Sequence, residues 1–249
     1  MRLTIVGSAG SYPSPESACS CYLVEADGFR LVMDLGNGAL GALQRYASLY
    51  EIDAVLLTHL HADHCLDMTS YFVARNYRHG GCPELLPVYG PSGTAERLSR
   101  AYGMPQEPGL DTVFDFRTVR GGESFRVGPF TVVPERVAHP VEAYGFRVEH
   151  GGVALAYSGD TGPCDGLERL ADGADLLLAE ASFLDGRDST PDLHLNGREA
   201  GETAARGAAK RLVLTHIPVW TDPGVNRVAA EAAYPGPVDV AVPGDVYEI

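Results

Sequence analysis

Four side chains able to ligate a divalent cation fall within six residues: His59, His61, Asp63 and His64, in the run THLHADH. Neutral imidazole nitrogens and a carboxylate suit zinc or a similar borderline ion, and a mixed set of this kind leaves coordination positions open for water. Such sites are catalytic more often than structural. The chain holds only eight His, so three of them at i, i+2 and i+5 around a carboxylate concentrate ligands in one loop. Three further candidates share the same sequence context. His139 follows the apolar segment 130–138, Asp160 follows 153–159, and His216 follows 211–215. Any one of them alone reads as a turn-capping residue. Together with the first four they make seven ligands, enough for two ions. A close ion pair generates hydroxide at neutral pH and stabilises both entering and leaving oxygens.

Side chains this far apart converge only if strands deliver them to one edge. The pattern predicts strands at 3–6, 21–24, 29–33 and 54–57, the last ending at the His-rich loop, with a helix over 39–49. Residues 66–102 read as mainly helical, broken by Gly80-Gly81-Cys82-Pro83 and a short strand at 86–89. Strands follow at 112–119, 124–127, 130–137, 145–149 and 153–157, then at 175–179, 211–214 and 238–242. Helices are expected near 164–171, 197–209 and 225–233. Two sheet-rich halves, each closed by helices, imply a layered α/β arrangement with helices outside. Gly121-Gly122 and Gly151-Gly152 read as hairpin turns. Gly36, Gly38 and Gly41 have the wrong spacing for a dinucleotide loop.

At 249 residues, 45% of them hydrophobic, the chain is expected to form one domain spanning 1–249. Its net charge of −14 repels polyanions except where cations reverse the field, so no long nucleic acid is expected as a general partner. Five Cys, at 19, 21, 65, 82 and 164, include no CxxC pair, and an odd count fits reduced thiols in a cytoplasmic protein. Cys19 and Cys21 alternate as if on one strand face, and Cys65 reads as a small buried hydrophobe. The segment MRLTIVGSAG lacks a signal-peptide core, and no 18-residue apolar stretch exists, so no membrane association is expected.

The ordered set of Asp34 in MDLGNG, HLHADH at 59–64, His139, Asp160 and His216 resembles the metallo-β-lactamase superfamily over nearly the whole chain. That resemblance implies the four-layer αββα sandwich and two divalent ions, zinc with manganese as the alternative. It assigns His59, His61 and His139 to one ion and Asp63, His64 and His216 to the other, with Asp160 bridging and Asp34 orienting a ligand. A homodimer is compatible with it. Glu180, in Glu-Ala-Ser-Phe, and His194, in Asp-Leu-His-Leu-Asn-Gly-Arg, resemble the pair found in the phosphodiesterase branch typified by RNase Z. There the His assists the departing alkoxide and the Glu supports it. The catalytic set carried over is therefore Asp63, His194 and Glu180. An imidazole suits this task, because a ribose oxygen leaves poorly unless protonated.

The chain departs from RNase Z between His139 and Asp160, where only a hairpin fits and the protruding tRNA-binding arm is missing. Expectation therefore moves to a small phosphodiester, a cyclic nucleotide first, attacked by hydroxide generated at the metals. A pre-tRNA endonuclease comes second. A lactonase or thioesterase and a non-catalytic metal-binding scaffold are the remaining alternatives. Arg75, Tyr77, Arg78 and His79 lie close behind the metal loop, where they either line a substrate pocket or form a solvated helix face.

Overall fold

In the computed structural model, which describes residues 1–81 and 84–249, the chain completes most of one sheet before starting a second. Cys82 and Pro83, part of the break expected at 80–83, lie outside the described residues. The first half runs β1 (Arg2–Gly10), β2 (Ala18–Cys19), β3 (Cys21–Ala26), β4 (Phe29–Met33), α1 (Ala39–Leu43), β5 (Ala54–Leu56), α2 (Ala62–Cys65), α3 (Met68–Asn76), β6 (Leu86–Gly90), α4 (Thr94–Tyr102) and β7 (Phe114–Thr118). The second half runs β8 (Phe125–Val127), β9 (Phe130–Arg136), β10 (Tyr144–His150), β11 (Val153–Tyr157), α5 (Asp165–Ala171), β12 (Leu176–Glu180), α6 (Gly197–Arg206) and β13 (Leu212–Thr215). The last elements are β14 (Ile217–Pro218), α7 (Pro223–Ala233), β15 (Val238–Val240) and β16 (Val246–Glu248).

Among the described residues one sheet has nine strands, ordered β14-β1-β3-β4-β5-β6-β7 with β2 and β16 also against β1. The other has seven, ordered β15-β13-β12-β11-β10-β9-β8. Strands β4 to β7 run parallel, as do β11, β12, β13 and β15. Their carboxyl ends are where an open α/β sheet binds ligands.

Alternation along each strand explains the layers, because successive side chains point to opposite faces. Tyr22, Val24, Leu31 and Met33 meet Phe146, Val148, Leu155 and Leu178 in one core between the sheets. Their neighbours Cys21, Leu23 and Val32 face a second core under α1, α3 and α4, with Leu40, Met68, Phe72 and Leu98. Ala156, Leu177 and Leu214 face a third under α5, α6 and α7, with Leu167, Ala200 and Ala230. The result is the expected αββα sandwich. None of its described helices is long and apolar enough to cross a membrane.

Three local expectations change. The helix expected over 39–49 stops at Leu43, and Ser48 Oγ then accepts the Tyr50 N–H to begin a 3-10 turn at Leu49–Glu51 that leads the chain back toward β5. Gly121-Gly122 is not a hairpin turn: β7 pairs with β6 and β8 with β9, so this turn carries the chain from one sheet to the other. Cys19 and Cys21 sit in two different strands, with Ser20 between them. Gly151-Gly152 is the hairpin expected, joining β10 to β11 with both glycines at positive φ.

Candidate metal centre

Most of the candidate residues stand at or just beyond a strand end, while Asp63 and His64 lie in the short α2 that follows β5. Asp34 follows β4, His59 follows β5, Asp160 follows β11, Glu180 closes β12 and His216 follows β13. Register aligns these ends, with Met33 opposite Leu56, Tyr157 opposite Leu178 and Glu180 opposite Thr215. Two glycines allow the close packing this requires. A Cβ at Gly36 would lie 1.9 Å from the Asp63 carbonyl oxygen, and one at Gly10 would lie 2.4 Å from that of His216.

Two clusters form. In the first, His61 Nδ1 lies 3.0 Å from His59 Nε2 and 3.2 Å from His139 Nε2. Ligands of a tetrahedral zinc with bonds of about 2.0–2.1 Å stand roughly 3.3 Å apart, so this spacing fits one cation between three imidazoles. In the second, Asp160 Oδ1 is 3.1 Å from His64 Nε2 and Asp160 Oδ2 is 3.3 Å from His216 Nε2. Asp63 Oδ2 is 3.6 Å from His216 Nε2 and 3.8 Å from His64 Nε2. Asp160 Oδ2 also comes within 3.8 Å of His59 Nε2, so one carboxylate faces both clusters. His64 Nε2 and Asp160 Oδ1 are buried and, though 3.1 Å apart, neither makes a well-formed hydrogen bond to the protein. Leaving such groups unsatisfied costs about 1–3 kcal/mol each, a penalty that a bound cation would remove from both. The donor set therefore fits divalent metal.

Hydrogen bonds to the far nitrogens fix the near ones. Asp34 is fully buried, accepts from Thr58 N–H at 2.8 Å, from Tyr157 O–H at 2.8 Å and from Thr58 O–H, and pairs with His64 Nδ1 at 2.7 Å. Because the Thr58 hydroxyl donates to Asp34, His59 Nδ1–H donates to Thr58 Oγ1, at 3.1 Å. His139 Nδ1–H donates to the Leu193 carbonyl at 3.0 Å, and His216 Nδ1 pairs with Ser20 Oγ at 2.9 Å. In all four rings Nε2 is the nitrogen left to face a cation. The Ser11 N–H donates to Asp63 Oδ2 at 3.0 Å.

Burial, with His64 close by, keeps the His59 imidazole well below its usual pKa, and burial lowers His61 and His139 as well. These three are neutral and competent to ligate. Burial opposes charge on Asp160, but the facing His216 and His64 outweigh it and hold the carboxyl well below the ordinary range.

His194 belongs to neither of these clusters but groups with Glu180 and Asp160, the ligand atoms of all three lying within 4.8 Å of one another. Its Nδ1 is 2.8 Å from Glu180 Oε1 and 3.9 Å from Asp160 Oδ2, and its ring lies between those of His139 and His216. Burial pushes its pKa down, yet the Glu180 carboxylate overrides this and raises it to about 9. Glu180 is itself buried, accepting from Thr161 N–H at 2.9 Å and Ser182 N–H at 3.1 Å. The loop carrying His194 is pinned at Phe183, whose N–H donates to the Leu195 carbonyl, and at Asn196, which caps α6 in a box with Glu199.

All ten of Asp34, His59, His61, Asp63, His64, His139, Asp160, Glu180, His194 and His216 thus meet at one end of the sandwich. Ser20, Thr58, Tyr157 and the Leu193 carbonyl complete the arrangement, and spacing alone singled out none of them. Cys65 packs into the core under α3, and burial raises its thiol to about 12, so it offers no thiolate. Arg75 and Arg78 belong elsewhere. Together with Tyr50, Ile52 and Asp53 they line a cavity at the entry to β5, the opposite end from His59.

The model of the beta-lactamase superfamily domain matches residues 30–217. An uncharacterised protein of Mycobacterium leprae is 44% identical over all of this chain and 89% of its own length. A ribonuclease Z of Mycolicibacterium gilvum is 32% identical, over 90% of this chain and 86% of its own. Among solved structures, the metallo-beta-lactamase fold protein YhfI of Bacillus subtilis superimposes with a TM-score of 0.90 at 29% identity, covering 100% of this chain and 98% of that one.

Proposed function

The chain belongs to the β-lactamase superfamily, and from that premise we propose that it is a metal-dependent phosphodiesterase acting on a small phosphodiester, with a cyclic nucleotide as the first candidate. The observation that carries this reading is the His194–Glu180 pair. With Nδ1 engaged by Glu180 at 2.8 Å, the only ring nitrogen left to donate a proton is Nε2.

His59, His61 and His139 would hold one divalent cation and Asp63, His64 and His216 the other, with Asp160 shared; zinc suits the imidazole-rich set, and manganese is the alternative. Such a pair, when bound, would lower the pKa of water and offset charge building up at phosphorus. The protein's own contributions are separate from this. Asp34, Thr58 and Ser20 hold the imidazoles in the ligating orientation. Glu180 keeps His194 protonated at neutral pH, so that it can deliver a proton to the departing oxygen, a step worth about 10²–10⁴-fold. Alkoxide release from ribose needs that proton, which favours phosphoryl over acyl substrates.

Size follows from the segment between His139 and Asp160. It is filled by β10, β11 and their two-glycine turn, with no arm to grip a tRNA. A net charge of −14 offers few phosphate contacts in compensation. The likeness to ribonuclease Z keeps pre-tRNA cleavage as the second reading. Metal-supplied protein incubated in parallel with 3′,5′- and 2′,3′-cyclic nucleotides, a pre-tRNA and a lactone distinguishes them. Turnover of cyclic nucleotides is the expected result. Exclusive pre-tRNA cleavage would promote the second reading, and lactone turnover alone would end both.

A further inference from the structure

Trp220 is the chain's single Trp, yet it is 56% exposed, and its neighbour Tyr12 is 48% exposed. Their ring centroids are 5.4 Å apart at an interplanar angle of 39°. Large aromatic rings gain most from burial, so a pair in contact with each other and left about half open to water points to a surface kept for another ring.

Its place in the fold indicates which ring. β1 and β14 pair in parallel, with Ala9 opposite Ile217 and Gly10 opposite Pro218. Immediately beyond β1, the Ser11 N–H donates to Asp63 Oδ2. Immediately before β14 stands His216, within the second cluster. Tyr12 is thus the residue after one that touches the metal centre, and Trp220 follows His216 by four residues. Short turns fix both, Tyr12 N–H donating to the Gly10 carbonyl and Thr221 N–H to that of Pro218, each at 2.8 Å.

We propose that Tyr12 and Trp220 form a stacking platform for the nucleobase of the substrate, at the rim of the metal centre beside Asp63 and His216. The proposal rests on the phosphodiesterase reading above and narrows its substrate to nucleotides. At 5.4 Å between centroids no third ring enters between the two, so the base stacks on the pair's open face. Stacking of this kind strengthens binding by roughly 5- to 150-fold per base and tolerates any base, since every base has a π-face. The enzyme should therefore demand a base without choosing strongly among bases.

With only one Trp in the chain, tryptophan fluorescence reports on this platform alone. Metal-supplied protein is titrated with adenosine 5′-monophosphate and with ribose 5-phosphate, correcting for absorption by the nucleotide. Saturable quenching by the mononucleotide only is expected, with Tyr12→Ala weakening it by roughly 5- to 150-fold. In turnover, the KM advantage of 3′,5′-cyclic AMP over the base-free methyl riboside 3′,5′-cyclic phosphate should collapse in Trp220→Ala and persist in Trp220→Phe. Equal responses to both ligands, or no response, would overturn the platform. So would fluorescence that follows protein concentration rather than nucleotide, since a second copy of the chain would then cover the rings. Failure to cleave any phosphodiester would instead strike the underlying reading, while quenching by the mononucleotide still decides the platform.

Discussion

His194 and the seven cation-facing side chains should fail in different ways when removed. His194→Ala should slow hydrolysis of a nucleotide ester by roughly 10²–10⁴-fold with metal content intact. A p-nitrophenyl ester should suffer distinctly less, because p-nitrophenolate departs without a proton. Equal losses on the two substrates would make His194 a positioning residue. Ser20 offers a second test, since its hydroxyl is the partner of His216 Nδ1 at 2.9 Å. Ser20→Ala should weaken metal affinity by about 10–100-fold, measured by competition with a chelator, as loss of such an orienting partner usually does. Unchanged affinity would remove Ser20 from the site. The convergence of the cation-facing side chains was legible in the sequence because His and Asp are chemically distinctive and follow apolar runs. Ser20, Thr58 and Tyr157 were not. Tyr157 reaches Asp34 from 123 positions away, a pairing that only the docked sheets create, and the residue type itself carries no signal.

Among elements, strands read well and their ends less so. Continuous apolar runs located β3, β4, β11 and β12 within a residue or two, because both faces of these strands lie in cores. α1 reads too long, since the apolar spacing of residues 39–49 continues past the point where Ser48 turns the chain. Gly121-Gly122 was misread as a hairpin because a turn's composition does not say which sheet the next strand joins. The glycines after β4 can be tested against one another. Gly36→Ala would drive a Cβ into the Asp63 carbonyl, whereas Gly41, inside α1, has nothing within 4 Å of an added Cβ. Gly36→Ala should lose metal affinity by at least about tenfold, as displacement of a ligand-bearing loop would. Gly41→Ala should retain it and melt slightly higher, by the roughly 0.5–1 kcal/mol that Ala gains over Gly in a helix. Indistinguishable behaviour of the two variants would contradict the packing described for Gly36.

At the scale of the whole molecule, the two clusters share one carboxylate. Metal-supplied protein should hold about two divalent ions per chain. Asp160→Ala should bring that below one, because Asp160 faces both clusters, while elemental analysis showing a single full-occupancy ion would leave one cluster intact without it. Charge acts at the same scale: with 33 acidic against 19 basic side chains, binding of pre-tRNA should be weak at physiological salt. Tight, saturable binding there would restore the second functional reading.

The route of the chain between the sheets has a further consequence. Everything before Gly121 supplies His59, His61, Asp63 and His64, while everything after Gly122 supplies His139, Asp160 and His216. Neither cluster is complete on one side of that turn. The same turn divides β1 from β14 and β16, which come from the far segment and pair with it. Cut there, the protein becomes two complementary fragments, each holding part of both clusters and one holding strands that belong in the other's sheet. Mixing them should recover metal uptake with second-order kinetics, and added divalent ion should pull the fragments together, so that the metal works as a clasp on the assembled sandwich.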